Sequence, residues 1–336
     1  MLSESSLLVV LFPLVLAFGI DVLLGDPREG TRAERWYPPV LVGRLALTLD
    51  RHIPREDPRR EQWAGALLWM VAVGAPTFVA VLLVLFAGPA GRVDAGVVLG
   101  GTEAHVAAGT LILGAVFLAL AVLWLKSCFT LSGLLSYCAR PLGLSGEDKR
   151  RAVAAVVNRL TDELPDQLLN SALIESAAEN ATDSVVAPLL AYSLFGLPGA
   201  VAYRAINTLD ALLGHRDRRR LYVGRVTATV DHVVNWLPDH ITALLIRLSS
   251  ARRTAAAQIQ AAPGVVVPRS IVAASRVAGV RIEKRGWYVI GPALPAPTEI
   301  DVRRFLRTVK YTGIVALVLS VLLIGGLVVA GWWYFL

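Results

Sequence analysis

Four apolar runs, each close to or above the length that crosses a bilayer, decide the class of fold before any motif is read. They occupy residues 6–24, 64–87, 107–125 and 313–336. About 20 helical residues cover the roughly 30 Å hydrocarbon layer, and a chain surrounded by lipid satisfies its own backbone as helix or closed barrel. Each run is read as a membrane-spanning helix. With 55% hydrophobic residues and a mean hydropathy of +0.58 over 336 residues, the chain is too apolar for a soluble domain and too long for a lone anchor. The expected fold is all-α: a polytopic membrane helical bundle, one membrane-embedded domain over 1–336. No Lys or Arg precedes the first run and no convincing cleavage site follows it, so a retained helix is predicted rather than a signal peptide.

Charge placement orients the bundle. Eight arginines lie between residues 25 and 63, whereas residues 88–106 hold Arg92 as their one Lys or Arg. Basic loops stay on the cytoplasmic side, so the first connection is placed inside and the second outside. Region 204–310, with 17 Lys and Arg from Arg216 to Lys310, is likewise read as cytoplasmic. Segment 184–203 is long enough to cross, yet it carries Pro188, Gly196, Pro198 and Gly199 between two basic flanks. A broken or re-entrant pair of half-helices is expected there. The third run should extend as a mixed helix to Cys138, and Ser145–Asn170 should be helical behind a capping box at Ser145–Asp148. Cys128 and Cys138 read as packing residues.

The chemistry concentrates between Glu175 and His215. On a helix Glu175, Glu179 and Asp183 fall at i, i+4 and i+8, with Ser176 and Asn180 beside them. Arg204, Asn207 and Asp210 then recur every three residues, ahead of Gly214-His215-Arg216, and Asp231, Asn235 and Asp239 form a third polar stripe. Like charges one turn apart cost only about 0.2–0.5 kcal/mol on a solvated helix, so the spacing alone does not demand a cation. A solvated face with capping at Thr182 and Asp183 is the competing reading. What favours a site is that these acids border an apolar segment, where ionisable groups are costly. No phosphate-binding glycine loop, zinc spacing or serine-nucleophile elbow is present. A nucleotide would therefore need carboxylate-held magnesium and arginines.

The stretch Glu175-Ser-Ala-Ala-Glu179-Asn180-Ala-Thr-Asp183 through Pro188, followed by Gly199, Tyr203-Arg204, Asn207-Thr-Leu-Asp210 and Gly214-His215-Arg216, resembles the CobD/CbiB adenosylcobinamide-phosphate synthases of cobalamin biosynthesis. Asp21-Val-Leu-Leu-Gly25-Asp26-Pro27 and Gly279–Lys284 before Tyr288–Gly291 are similar to the same family. The resemblance covers most of the chain. It implies a multi-pass cell-membrane ligase with its active site facing the cytoplasm. That ligase uses ATP to join a propionate carboxylate of adenosylcobyric acid to aminopropanol or its phosphate.

The site residues expected on this basis are Glu175, Glu179, Asp183 and Asp210 for catalysis, with Mg2+ on Glu179, Asp183 and Asp210. Asn180, Arg204, Asn207, His215, Arg216, Arg225, Asp231 and Asn235 are expected to bind substrate or phosphate. Implied partners are the corrinoid, the amine, ATP, the lipid bilayer and other late cobalamin-pathway membrane enzymes, with no nucleic acid. Three positions depart from the family pattern: Tyr37-Pro38 for a usual His-Pro, Asp231-His232 with Pro238-Asp239-His240 for a double acid and Pro-Ala-Arg, and the worn Ala262–Pro268. They support the alternative of a non-catalytic corrinoid- or nucleotide-binding paralogue serving as sensor or scaffold.

Overall fold

The computed structural model describes residues 4–28, 30–55, 57–87, 102–157, 159–214, 220–250 and 256–332. It is helical almost throughout. Helix α1 (Glu4–Leu24) precedes the short α2 (Arg32–Arg35) and α3 (Pro38–Arg51), and α4 (Pro58–Ala87) and α5 (Thr102–Cys128) follow. Next come α6 (Leu131–Ala139), α7 (Gly146–Ala154), α8 (Asp166–Ala181), a π-helical turn (Thr182–Val186), α9 (Ala187–Leu213) and α10 (Arg225–Leu248). Strand β1 (Ile259–Ala261), α11 (Arg269–Ala278), β2 (Ile282–Lys284), β3 (Tyr288–Ile290) and α12 (Glu299–Val329) complete the order. Four helical stretches are long and apolar enough to cross a membrane: Pro58–Ala87, Gly109–Ala139, Asp166–Leu213 and Glu299–Val329. Val10–Leu24 is a shorter apolar helix. The chain is thus a polytopic all-α membrane protein.

The chain groups into two compact units. The first comprises residues 1–129, 188–234 and 320–336. In it α5 packs on α1 and α4, and α3 packs on α4. Val42 and Ala46 of α3, Leu68, Ala72 and Val73 of α4, and Ala205, Ile206, Leu209 and Leu213 of α9 close one core. The second comprises residues 130–187 and 235–319. Its axis is α8, packed against α6, α7, α11 and β2, and twelve of its sixteen residues are buried. The sheet is small and antiparallel, ordered β1-β3-β2, with Ile259 and Ile282 both opposite Ile290. Strand β3 lies between Gly286 and Gly291.

Several expected boundaries move, each for a local reason. The arginine-rich first connection is not plain loop. Pro38 and Pro39 start α3, whose face of Val42, Gly43 and Ala46 is buried. The third run does not continue unbroken to Cys138. The helix stops at Cys128 and restarts at Leu131, with Thr130 as N-cap accepting the Gly133 N–H at 3.1 Å. Ser145–Asn170 is two helices with Pro165 before the second, and Ser145 stands at the N-cap of α7 without a side-chain cap bond. The last helix starts at Glu299, well before Gly313, and ends at Val329.

Segment 184–203 is broken at one residue. Helix is continuous from Asp166 to Leu213 except at Gly196, whose φ of 66° and ψ of −159° belong to a region open essentially to glycine. Pro188 does not break the helix. It cannot donate to the Ser184 carbonyl, and the Thr130 N–H does so instead at 2.8 Å. Pro198 likewise cannot donate to Leu194, whose carbonyl accepts the Trp332 indole N–H at 2.8 Å. Gly199 fits the tightened turn after the kink, since a Cβ there would lie 2.5 Å from Cβ of Phe195.

Gly196→Ala should therefore destabilise the purified protein by about 1–3 kcal/mol. Trp332→Phe should cost about 0.5–1.5 kcal/mol, one net hydrogen bond. Gly74→Ala, in open space on α4, should be neutral or stabilising in the same thermal melts. Equal melting of all three variants would reject the assignment of strain and bonding to the kink.

Candidate functional site

Helix α8 buries Asn170, Ser171, Glu175 and Ser176 inside the second unit, so each needs a partner there. Asn170 donates to the Pro297 carbonyl at 3.1 Å, Ser171 accepts the Glu283 N–H at 2.8 Å, and Ser176 donates to the Val156 carbonyl at 3.2 Å. Glu175, 2% exposed, is the hub. One carboxylate oxygen lies 2.6 Å from Arg159 Nη2 and the other 3.4 Å from Lys284 Nζ. The Tyr288 hydroxyl hydrogen-bonds to the same carboxylate, and burial together with the charges of Glu175 and Glu179 holds this phenol well above its usual pKa. Tyr288 is therefore a neutral donor at physiological pH. Two cations and a phenol on one buried carboxylate give a fixed, fully engaged charge.

From this hub the stripe runs outward. Glu179, one turn on, is exposed, and Asp183 is half-buried. Asn180 donates to the carbonyl of Ser176 at 2.9 Å and to its hydroxyl at 3.2 Å. The π-helical turn at Thr182–Val186 inserts extra winding, so the predicted straight stripe is regular from Glu175 to Glu179 and resets at Asp183. Thr182 and Asp183 lie inside a continuous helix, with Ala181 rather than either of them preceding the π turn.

The first unit holds a second cluster. Lys126, 4% exposed near the end of α5, forms ion pairs with Asp21 at 3.2 Å and with Asp26, and the Tyr37 hydroxyl donates to Asp26 at 2.6 Å. Burial and the Asp26 charge hold the Tyr37 phenol in its neutral form, its pKa raised despite the opposing field of Arg204. Arg204, Asn207 and Asp210 are half-buried on α9, with Arg204 Nη1 3.4 Å from Asn207 Oδ1. Gly214 leaves room for Asp210: a Cβ there would lie 2.0 Å from the Asp210 carboxylate. Arg220 donates to the Leu212 carbonyl at 2.8 Å and so closes the C-terminal turn of α9.

The predicted residues divide accordingly. Glu175, Glu179, Asn180, Asp183 and Asn235 belong to the second unit, whereas Arg204, Asn207, Asp210, Arg225 and Asp231 belong to the first. Arg225 is exposed at the first residue of α10, and Asp231 and Asn235 are half-buried along it. His215 and Arg216 lie outside the described residues. Asp239 of the third stripe caps α11, accepting the N–H groups of Arg269 at 2.6 Å and Ser270 at 2.9 Å. That departure from the family pattern thus has a structural use.

Arg159, Lys126 and Lys284 were not among the expected site residues. The available signal was that only four of the 33 Lys and Arg are lysines, and three of them (Lys126, Lys149 and Lys284) pair with acids. Among the described residues no three His, Cys, Asp or Glu side chains group as a metal cluster. Magnesium usually takes one or two carboxylates and completes its shell with phosphates and water, and the accessible Glu179 and Asp183 suit that mode.

Comparison with known proteins identifies the family. The family model described as CobD/Cbib protein matches residues 14–318. A protein of Thermococcus kodakarensis named "Probable cobalamin biosynthesis protein CobD" is 35% identical over 300 residues, 88% of this chain and 90% of that one. Its namesake in Pyrococcus furiosus is 32% identical over 311 residues, 91% of this chain and 98% of the relative. The Pyrococcus abyssi protein of that name is 40% identical over 198 residues, 57% of this chain and 65% of its own. No solved structure matches the chain. A family model matched over residues 14–318, with relatives 35% and 32% identical along most of both chains, places this chain in the CobD/CbiB family of cobalamin biosynthesis.

Proposed function

We propose that the chain is an ATP-dependent carbon–nitrogen ligase that joins a propionate carboxylate of adenosylcobyric acid to aminopropanol or its phosphate. The observation that carries this reading is the α8 stripe. A fully engaged Glu175 anchors it, and the exposed Glu179 and half-buried Asp183 follow. In the reaction the propionate oxygen attacks the γ-phosphorus of ATP and ADP leaves. The amine nitrogen then attacks the acyl phosphate carbon, expels phosphate and loses a proton to leave the amide. Magnesium, when bound, neutralises the phosphates during transfer.

The protein's own contribution is positional and electrostatic. Glu179 and Asp183 present hard oxygen ligands, and Glu175 stays paired with Arg159 and Lys284, fixing the helix that carries them. Glu175 is accordingly a positioning residue. The basic connections at residues 25–63 and 204–310 support a site facing the cytoplasm, where they also attract anionic substrates.

Purified protein should consume ATP only when a cobyric acid and an aminopropanol-type amine are both present, with one amide formed per ADP. Glu179→Gln should lower magnesium-dependent ATP binding and amide formation without lowering the melting temperature. Glu175→Gln should destabilise the fold by about 3–5 kcal/mol, since it strips the partner from two cations. Glu147→Gln, on a side chain 72% exposed, is the silent control. Corrinoid binding without amide formation, in the wild type and after His232→Asp, would support the non-catalytic paralogue instead.

A further inference from the structure

The turn between β2 and β3 holds an aromatic ring outside the core. Trp287 is 55% exposed, although its neighbour Tyr288 is buried. Its backbone is fixed on both sides: the N–H donates to the Lys284 carbonyl at 2.9 Å, and the carbonyl accepts the Ala262 N–H at 2.8 Å. Gly286, with a φ of 76°, makes the tight turn that leads into it. A tryptophan side chain has only two rotatable bonds, so a ring on so fixed a backbone presents its face at small entropic cost.

The ring stands beside the α8 stripe of the same unit. Lys284 Nζ lies 5.6 Å from the indole centroid, within cation–π range, and 3.4 Å from the Glu175 carboxylate. Strand β2 is tied to α8 again where Ser171 accepts the Glu283 N–H at 2.8 Å. Glu179, one helical turn from Glu175, is close enough for its charge to act on the Tyr288 phenol. An exposed π-face and an exposed acid are thus linked through the Lys284–Glu175 contact. A nucleoside triphosphate has the matching ends, a flat base at one and metal-binding phosphates at the other. A tryptophan can also anchor a bilayer interface. Here the residues before it, Glu283 to Gly286, add no apolar residue for lipid to cover, and the ring stands among charges.

Resting on the ligase reading above, we infer that Trp287 is the base platform of the nucleotide site, with a purine stacked on the indole while the phosphates reach the metal at Glu179 and Asp183. Lys284 is a positioning residue. Its cation–π contact holds the ring, and its pair with Glu175 ties that ring to α8. Stacking reads the face of a base and not its hydrogen-bonding edge, so the platform gives affinity for adenine and guanine alike.

The test uses full-length protein in lipid nanodiscs, with the magnesium complexes of ATP, GTP and inorganic tripolyphosphate as calorimetric probes and no corrinoid or amine present. Stacking on the indole should make ATP and GTP bind about 5- to 150-fold tighter than tripolyphosphate, which has no base. Trp287→Ala should erase that ratio while leaving tripolyphosphate affinity and melting temperature unchanged. Trp287→Phe should keep part of it, and Trp63→Ala, at another exposed indole, should keep all of it. An unchanged ratio in Trp287→Ala overturns the proposal, as does a loss that falls equally on tripolyphosphate. GTP binding no tighter than tripolyphosphate would also overturn it. So would an unchanged ratio accompanied by weaker corrinoid binding or by quenching of Trp287 by brominated lipid, which would give the ring another occupant. Trp287-dependent ATP binding in a protein that forms no amide would keep the platform and remove the ligase. Amide formation with a KM for ATP indifferent to Trp287 would do the reverse.

Discussion

Every backbone carbonyl at membrane depth needs a donor, and the helix from Asp166 to Leu213 meets this demand despite two internal prolines. Each proline withholds one N–H from a carbonyl four residues earlier. The Thr130 N–H serves Ser184, and the Trp332 indole serves Leu194. Thr130 starts α6 and Trp332 follows α12, so two distant chain segments complete one helix, each within its own unit. The π turn at Thr182–Val186 and the glycine break at Gly196 lie between the two polar stretches that carry the family's motifs. The irregular backbone is thus satisfied by defined donors while it re-aims the acids.

The same logic governs charge. Lys126 lies between Asp21 and Asp26, Lys149 between Asp166 and Glu299, and Glu175 between Arg159 and Lys284. In each case an ion that would be costly alone is shared among opposite charges. Such groups hold elements together and are poor candidates for reacting groups. Glu179 and Asp183 are more accessible, and Arg204 keeps a buried N–H without an acceptor.

The class of fold was legible because apolar runs of this length have one economical use, and the candidate site stretch was legible because its residues resemble a family motif. Placement was less legible. Glu175 and Glu179 look alike in sequence one turn apart, yet one is buried under two cations and the other is open. The cations that decide this, Arg159 and Lys284, lie outside the motif's local run. The π turn leaves no period of its own in five residues, so the stripe through Asp183 was drawn straight. Helix α3 was hidden in an arginine-rich connection because only part of one face is buried. Asp239 read as part of a polar stripe, and its use as a cap for α11 depends on a contact thirty residues away in sequence.

The central claim is that Glu179 and Asp183, which follow Glu175 along the helix, hold the metal that carries ATP. Anomalous diffraction from crystals grown with manganese in place of magnesium, together with a non-hydrolysable ATP analogue, tests it directly. The account predicts a manganese peak about 2.1 Å from a carboxylate oxygen of Glu179 or Asp183, bridged to the nucleotide phosphates. A peak held by other residues, with Glu179 and Asp183 both in solvent, would contradict it.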